Sequence, residues 1–358
     1  MSIFSFGGKS LLGIDIGASA IKVIKGQVSR GKFQVQELSS TPLPFGAITE
    51  RGVEDRNLVQ AAIKNAISSF GTSLEHVATS VKGAGVLTKR VVMPKVPQKE
   101  IAQQVKWEAE QVFPTDISNI LISYLLLGEG TDVPMAPPGT KGWDVLLVGV
   151  QKDSAHTYKS LVDDSGARTE VLDVDAFAST DLLAELLNFS KREAVALVDV
   201  GATGTRVTVR RNGNVVFLRE FGIGGMAFTE SISQTLGLTV QDAEALKLND
   251  GSPLPQEAHD ALAGVFQSWK SELQQCEDVF VSQSSNELIK KWYFYGGASQ
   301  TQGLATFLND ERFQGKIVFL RGSDYFVSKN KAISDDIISV WGLRLFTAAG
   351  LTLRGNKK

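Results

Sequence analysis

The sequence has a single cysteine, Cys276, so it can form no internal disulfide and no thiolate metal cluster. A reduced, cytoplasmic setting fits that scarcity. Histidine is nearly as rare. His76, His156 and His259 are scattered, belong to no motif, and read as surface or internally satisfied residues. No run approaches the ~18 consecutive apolar residues of a membrane span. Residues 1–10 lack the basic opening and apolar core of a secretion signal, and Phe4 and Phe6 there read as a frayed terminus. Charge of one sign is also missing. Lys and Arg number 37 against 39 Asp and Glu, a formal net charge of -2, so no general basic field favours nucleic acid. Gly8-Lys9-Ser10 imitates the end of a phosphate-binding P-loop, but Ile3 stands where its first glycine belongs and no strand precedes it. That motif is rejected.

What is present is 358 residues with 43% hydrophobic and 21% charged content, enough for two domains or for one fold with two lobes. The chain is organised around residues 11–25, where an apolar strand runs into Asp15, turns at Gly17 and leaves as a second apolar strand. Gly17 permits close backbone approach, turn amides can form a nest for phosphate, and Asp15 can hold a hydrated Mg²⁺. Ser19 offers a hydroxyl and Lys22 a positive charge. One such turn is an ordinary hairpin. A second copy changes the reading: in residues 195–209, Asp199 matches Asp15, Gly201 matches Gly17, Thr203 matches Ser19, and Arg206 matches Lys22. Two equivalent hairpins facing one another could clamp a triphosphate from both sides.

Between and beyond the copies, the periodicity alternates between strand and helix. Strands are expected at 33–38, 77–81, 86–93, 121–127, 144–150, 293–295 and 316–320. Helices are expected at 56–70 (ended by Gly71), 98–112, 153–165, 226–236 and 240–247. Residues 254–290 read as one long helix or two, with Ala261, Val265, Trp269, Leu273 and Val279 in phase. A last helix, capped by Ser334, carries Ile338, Trp341, Leu345 and Ala348 and ends at Gly350. Residues 128–142, rich in glycine and proline, read as a surface loop. Asp173 reads as a helix cap, whereas Asp175 is open between capping and catalysis. Asn212-Gly213 signals a type I′ turn. Glu244 and Lys247 share a helix face and, taken alone, make a solvated ion pair. Gly296-Gly297-Ala298, after a strand, is a glycine-rich turn opening a helix.

This order of motifs resembles the actin-like ATPase superfamily. Within it, the chain resembles the PilM family of type IV pilus assembly proteins. Met93-Pro-Lys-Val-Pro-Gln-Lys-Glu100, Trp107-Glu-Ala-Glu-Gln-Val-Phe-Pro114, Val171–Ala178 and Asp242–Lys247 carry the narrower likeness. The resemblance implies an α/β fold of two lobes with duplicated ribonuclease-H-like cores and a small inserted subdomain of FtsA type. Residues 10–83 and 167–192 would form the first core, and 84–166 the insertion. Residues 193–225 and 291–354 would form the second core, and 226–290 its helical subdomain.

It also implies ATP and Mg²⁺ in the cleft. Asp15 and Asp199 would hold the metal through water. Gly17, Ser19, Gly201, Thr203 and Gly204 would cradle phosphates, with Lys22 adding charge. Glu244 and Lys247 would meet the ribose, and Gly296, Gly297 and Ala298 would back the adenine. Asp175 falls where relatives orient the hydrolytic water, but it is shorter than the expected Gln or Glu, so weak turnover at most is expected. The implied partner is the N-terminal cytoplasmic peptide of PilN, beside further pilus-machine proteins. Residues 86–97 would form one wall of its groove, with Arg90 as the polar candidate. The protein would then be cytoplasmic and peripheral to the inner membrane, reached only through PilN. Two other readings stay open: an FtsA-like membrane-associated filament protein, which would need an amphipathic C-terminal helix, and a small-molecule kinase, which would need an acceptor site and larger lobes.

Overall fold

The computed structural model describes residues 11–356 apart from 71–73, 134–135, 191, 249–252, 285 and 309–311. Gly71, Phe4, Phe6 and the Gly8–Ser10 stretch lie outside the described residues. The first strand, β1 (Leu12–Ile16), is buried along its whole length. It pairs antiparallel with β2 (Ala20–Ser29). Arg30 and Gly31, both at positive φ (54° and 72°), turn the chain into β3 (Lys32–Pro42). A small hairpin of β4 (Ile48–Thr49) and β5 (Gly52–Val53) leads to α1 (Arg56–Ser68). Asp55 caps α1 by accepting the Leu58 N–H at 3.0 Å. Val59, Ala62, Ile63, Ala66 and Ile67 form its buried face.

After β6 (Val77–Val81) come β7 (Val86–Met93), α2 (Ile101–Val112), β8 (Ile120–Asp132) and β9 (Lys141–Gln151). The stretch expected to be a loop over 128–142 is strand at its two ends, since β8 runs on to Asp132 and β9 begins at Lys141. Gly128 and Glu129 of β8 stand opposite Asp144 and Trp143 of β9. Pro137 and Pro138 fall in the connection between the strands, where no ladder hydrogen bond is lost. Next come α3 (Lys152–Asp163), β10 (Thr169–Val174) and α4 (Asp175–Leu187).

The second half opens with β11 (Val195–Val200), β12 (Thr205–Arg211) and β13 (Asn214–Phe221). Asn212 and Gly213 sit at φ 51° and 82°, as a type I′ turn requires. Then follow α5 (Gly225–Leu236), ended by Gly237 in the left-handed conformation, and α6 (Val240–Leu248). Thr239 accepts the Asp242 N–H at 3.1 Å ahead of α6. The stretch 254–290 resolves into one helix, α7 (Gln256–Gln283). Its buried face is Ala258, Leu262, Phe266, Trp269, Leu273, Cys276 and Phe280. Ala261, Val265 and Val279 lie on its flank, because the wide stripe follows the aromatics. The chain ends with β14 (Lys291–Tyr295), α8 (Leu304–Phe307), β15 (Ile317–Phe319), α9 (Gly322–Tyr325), β16 (Phe326–Ser328), α10 (Asp335–Trp341) and α11 (Phe346–Thr352).

The expected single last helix is broken. Residues 335–344 and 346–355 meet at 87°. Gly342 sits so close to Gly322 that a Cβ on it would lie 2.5 Å from the Gly322 Cα, and this crossing takes the chain out of the α10 line. Among the described residues no single helix is long and apolar enough to cross a membrane. The bent pair is long and apolar enough taken together, but all of α11 is buried in the core.

Two sheets repeat one topology. In the first, the order β3-β2-β1-β6-β10 is antiparallel, antiparallel, parallel, parallel, with β16 added at the β3 edge. The second, β13-β12-β11-β14-β15, has the same sequence of pairings. The internal repeat of hairpins is thus a repeat of whole sheets, as two duplicated cores require. A third sheet, β7-β9-β8, packs Met93, Val145 and Leu147 against Ile101, Val105 and Ala109 of α2. Helix α3 packs on the other face of that sheet: Tyr158, Leu161 and Val162 share a core with Leu146, Val148 and Val150 of β9 and with β1, β6 and α1. Helices α4 and α11 cross between the two main sheets. At Gly350 a Cβ would lie 2.0 Å from the Ala178 carbonyl oxygen, and at Gly13 one would lie 1.9 Å from that of Ala348. Glycine is what lets α11 touch α4 and β1 backbone to backbone.

Candidate functional site

The two Asp-Gly hairpins face each other across a cavity of about 340 Å³. Each hairpin is built alike. The Gly17 N–H closes its turn on the Ala20 carbonyl at 3.1 Å, and the Gly201 N–H on the Gly204 carbonyl at 2.9 Å. Gly17 is needed for space and not for a positive φ: a Cβ there would lie 2.7 Å from Lys22 Nζ and 2.8 Å from the Ala20 oxygen. The Gly17 and Gly201 amides are therefore spent within the turns. Ser19 and Thr203 line the cavity beyond them, as does Gly204.

Each strand-end aspartate faces its own cation across the hairpin register, Asp15 opposite Lys22 and Asp199 opposite Arg206. Lys22 Nζ is 2.5 Å from Asp15 Oδ2, and Lys82 approaches Asp15 Oδ1 at 3.5 Å. Burial would raise the Asp15 carboxyl, but Lys22 and Lys82 outweigh it and hold its pKa down at about 2. Arg206 Nη2 lies 2.9 Å from Asp199 Oδ2, while its Nη1 pairs with Asp175 Oδ2. For Asp199 the balance is reversed. Burial, with Asp175 and Asp15 nearby, raises its pKa despite Arg206. Burial disfavours the Arg206 charge, yet Asp175, Asp199 and Glu220 together push its pKa well up.

Asp175 is the first residue of α4 and 2% exposed. Its Oδ1 accepts the Ala176 N–H at 2.7 Å, and its Oδ2 faces Arg206. Asp173, expected to cap that helix, does not. It lies inside β10, fully buried, and pairs with Arg354. Parallel pairing with β6 carries the strand on to Val174, so the helix begins two residues later.

On the far side of the cavity, Lys247 is not a solvated partner of Glu244. It is 2% exposed and donates to the Gly225 carbonyl (3.0 Å), Thr229 Oγ1 (2.8 Å) and Glu244 Oε2 (2.5 Å). Burial lowers its pKa, with Glu244 opposing. Lys247 thus ties α6 to the start of α5 and leaves Glu244 as the group that reaches the opening. Gly296, at φ 90°, lies against Asp199, where a Cβ would be 2.3 Å from Oδ1. Gly297 and Ala298 follow it along the wall. Against Gly297 lies Arg344, over the Trp341 ring at 5.2 Å, with a buried Nε that has no hydrogen-bond partner.

The structure therefore brings Asp15, Gly17, Ser19, Lys22, Asp175, Asp199, Gly201, Thr203, Gly204, Glu244, Lys247, Gly296, Gly297 and Ala298 to one cavity. Arg90 is not among them. It lies on β7 in a bidentate pair with Asp144, at 2.8 and 2.6 Å. Lys82, Glu220 and Arg344 also line the cavity and were not singled out from sequence, and Arg206, which lines it too, was matched to Lys22 but given no role. Arg206 had a signal, its equivalence to Lys22 in the repeat. Lys82, Glu220 and Arg344 had none, because they arrive from strand ends and a bend remote in sequence.

The pattern of the type IV pilus assembly protein PilM family matches residues 13–356. The chain belongs to the PilM family. The chain in the PilM–PilN type IV pilus biogenesis complex superposes with a TM-score of 0.82 at 24% identity, covering 98% of this chain and 100% of that one. The cell division protein FtsA of Streptococcus pneumoniae serotype 2 (strain D39) is 24% identical over 270 residues, 68% of this chain and 56% of FtsA. FtsA of Bacillus subtilis (strain 168) is 25% identical over 263 residues, 69% of this chain and 59% of FtsA. This PilM-family chain spans under two thirds of those FtsA proteins. MreB5 of Spiroplasma citri, solved bound to AMPPNP, shares the fold with a TM-score of 0.52 at 10% identity, covering 95% and 94% of the two chains.

Proposed function

We propose that the chain binds ATP between its two main sheets and, in that state, scaffolds type IV pilus assembly by holding the N-terminal peptide of a PilN partner. The observation that carries the nucleotide half is the pair of mirrored Asp-Gly hairpins facing one cavity. Ser19, Thr203 and Gly204 would meet the phosphates, with Gly17 and Gly201 shaping the turns and Lys22 supplying charge. Glu244, held by Lys247, would meet the ribose. Gly296, Gly297 and Ala298 would lie along the base. The unpartnered Nε of Arg344, buried at the wall, supports a ligand that brings an acceptor there.

Asp15 and Asp199 would hold Mg²⁺ through water, a donor set suited to that ion. The ion, when bound, would neutralise charge on the phosphates. Asp175 is the position for orienting water, but both its oxygens are engaged, which favours slow turnover.

The partner half rests on family membership and on the PilM–PilN complex that this chain resembles. A second cavity, about 570 Å³, lies beside Val86, Leu87 and Thr88 of β7, within the stretch nominated for the groove. It would admit an extended peptide. Arg90 is committed to Asp144 and would act through it. The protein would sit in the cytoplasm, reaching the inner membrane only through PilN, with no nucleic acid involved and further pilus proteins joining the complex. The chain segments 10–83 with 167–192, 84–166, 193–225 with 291–354, and 226–290 remain our proposed domains.

Calorimetric titration with ATP tests the site. Wild type should bind, and Gly297→Val, which fills the base end beside Arg344, should bind at least about tenfold more weakly with an unchanged melting temperature. Equal affinity in both would remove the base from that wall.

A further inference from the structure

The second hairpin differs from the first in what its cation touches. Among the described residues Lys22 forms an ion pair with Asp15 alone, whereas Arg206 reaches two carboxylates at once. It bridges Asp199, on the hairpin itself, and Asp175, on the first turn of α4 from the other half of the cleft. All three side chains are almost enclosed, with 12%, 13% and 3% of the Arg206, Asp199 and Asp175 side chains exposed. The guanidinium therefore stands between the carboxylate proposed to hold a hydrated cation and the carboxylate proposed to orient water.

We infer that Arg206 is a built-in counter-cation that locks the site: ATP is retained without a divalent ion, and is not hydrolysed while Arg206 bridges Asp175 and Asp199. The inference rests on the ATP reading above and specifies how that site is regulated. Its first part follows from charge. An unpaired Asp199 at the cleft floor would repel phosphates, and the usual remedy is a divalent cation between them. Here Arg206 already faces Asp199, as Lys22 and Lys82 face Asp15. Its fork of donors suits carboxylate and phosphate alike.

The second part follows from geometry. In hydrolysis a water oxygen bonds to the γ-phosphorus. The bond from that phosphorus to the bridging oxygen breaks, and its electron pair leaves with ADP. The proton lost by the water passes to solvent through whichever group orients it. Orientation by Asp175 needs a carboxylate that can turn to the water, and this one is held at both oxygens. Oδ1 is taken by the Ala176 N–H and Oδ2 by Arg206. Arg206 is thus a positioning residue acting through Asp175. It also lines both cavities, as do Asp175 and Glu220, so a shift of the bridge would be felt on the β7 side.

The test compares ATP affinity with excess Mg²⁺ and with EDTA, alongside phosphate release. Wild type should hold ATP within about threefold in the two conditions and release no phosphate above background. Arg206→Gln should bind about tenfold more weakly in EDTA, recover in Mg²⁺, and release phosphate at least about tenfold faster. Because Arg206→Gln leaves Asp175 unpaired, Arg206→Gln with Asp175→Asn is the second variant. It should show the same Mg²⁺ dependence without phosphate release. Wild-type affinity falling more than about tenfold in EDTA overturns the inference. So does Mg²⁺-independent binding by the double variant. Failure of wild type to bind ATP in either condition is a different result: it withdraws the ATP reading, and this inference with it.

Discussion

A guanidinium with none of its side chain exposed needs carboxylates close by, and Arg354 has them. Its Nε pairs with Asp173 and its Nη1 lies 2.7 Å from Asp181, which also holds Arg210 at 2.7 Å. Burial opposes the Arg354 charge, but Asp173 and Asp181 keep its pKa raised. The bridge ties the end of the chain to β10 and α4. Truncating one member of such a group strands the other charges. Arg354→Ala should cost about 3–5 kcal/mol in urea denaturation, and Arg354→Met with Asp173→Asn should recover much of that. Asp173 also marks where sequence reading fails. An aspartate just ahead of a helix looks like a cap, and its partner lies 181 residues away. Asp15 and Asp199 were legible because the repeat wrote them twice. Lys247 looked like half of a surface pair because helical spacing shows Glu244 but not the Gly225 carbonyl and Thr229 that enclose it.

Elements were legible where one face is buried against one neighbour. Strands 77–81 and 86–93 and the Asp55-capped helix α1 follow from local pattern alone. Elements shaped by close crossings were not. The bend between α10 and α11 depends on Gly342 meeting Gly322, and strand β16 depends on pairing with β3, far away in sequence. The same crossings set the cost of adding atoms. Gly350→Ala would place a methyl 2.0 Å from the Ala178 carbonyl, so α11 must move off α4. We expect a loss of about 1–3 kcal/mol or more by thermal or chemical denaturation. Gly264→Ala, inside α7 with nothing within 4 Å of its Cβ, should instead stabilise, by about 0.5–1 kcal/mol. Opposite signs for the same chemical change would show that contact, and not helix propensity, governs α11.

At the scale of the molecule, duplication explains why the fold and much of the site could be read together. One hairpin repeated gives two sheets of the same pairing order, and two such sheets facing each other give one cleft. The strands of the third sheet were legible, but its attachment was not. Thr88 Oγ1 donates to the Leu218 carbonyl at 3.0 Å, joining β7 to β13 of the second sheet. The cavity proposed for ATP and the cavity beside β7 share the Asp175–Arg206–Glu220 wall, and on that proposal their occupants should be linked. The measurement that tests this most directly is a calorimetric titration with the N-terminal cytoplasmic peptide of the PilN from the same genome, with and without ATP. The account predicts micromolar binding, about -8 kcal/mol, with an affinity that changes between the two conditions. No binding in either condition, by a protein that still binds ATP, would contradict it.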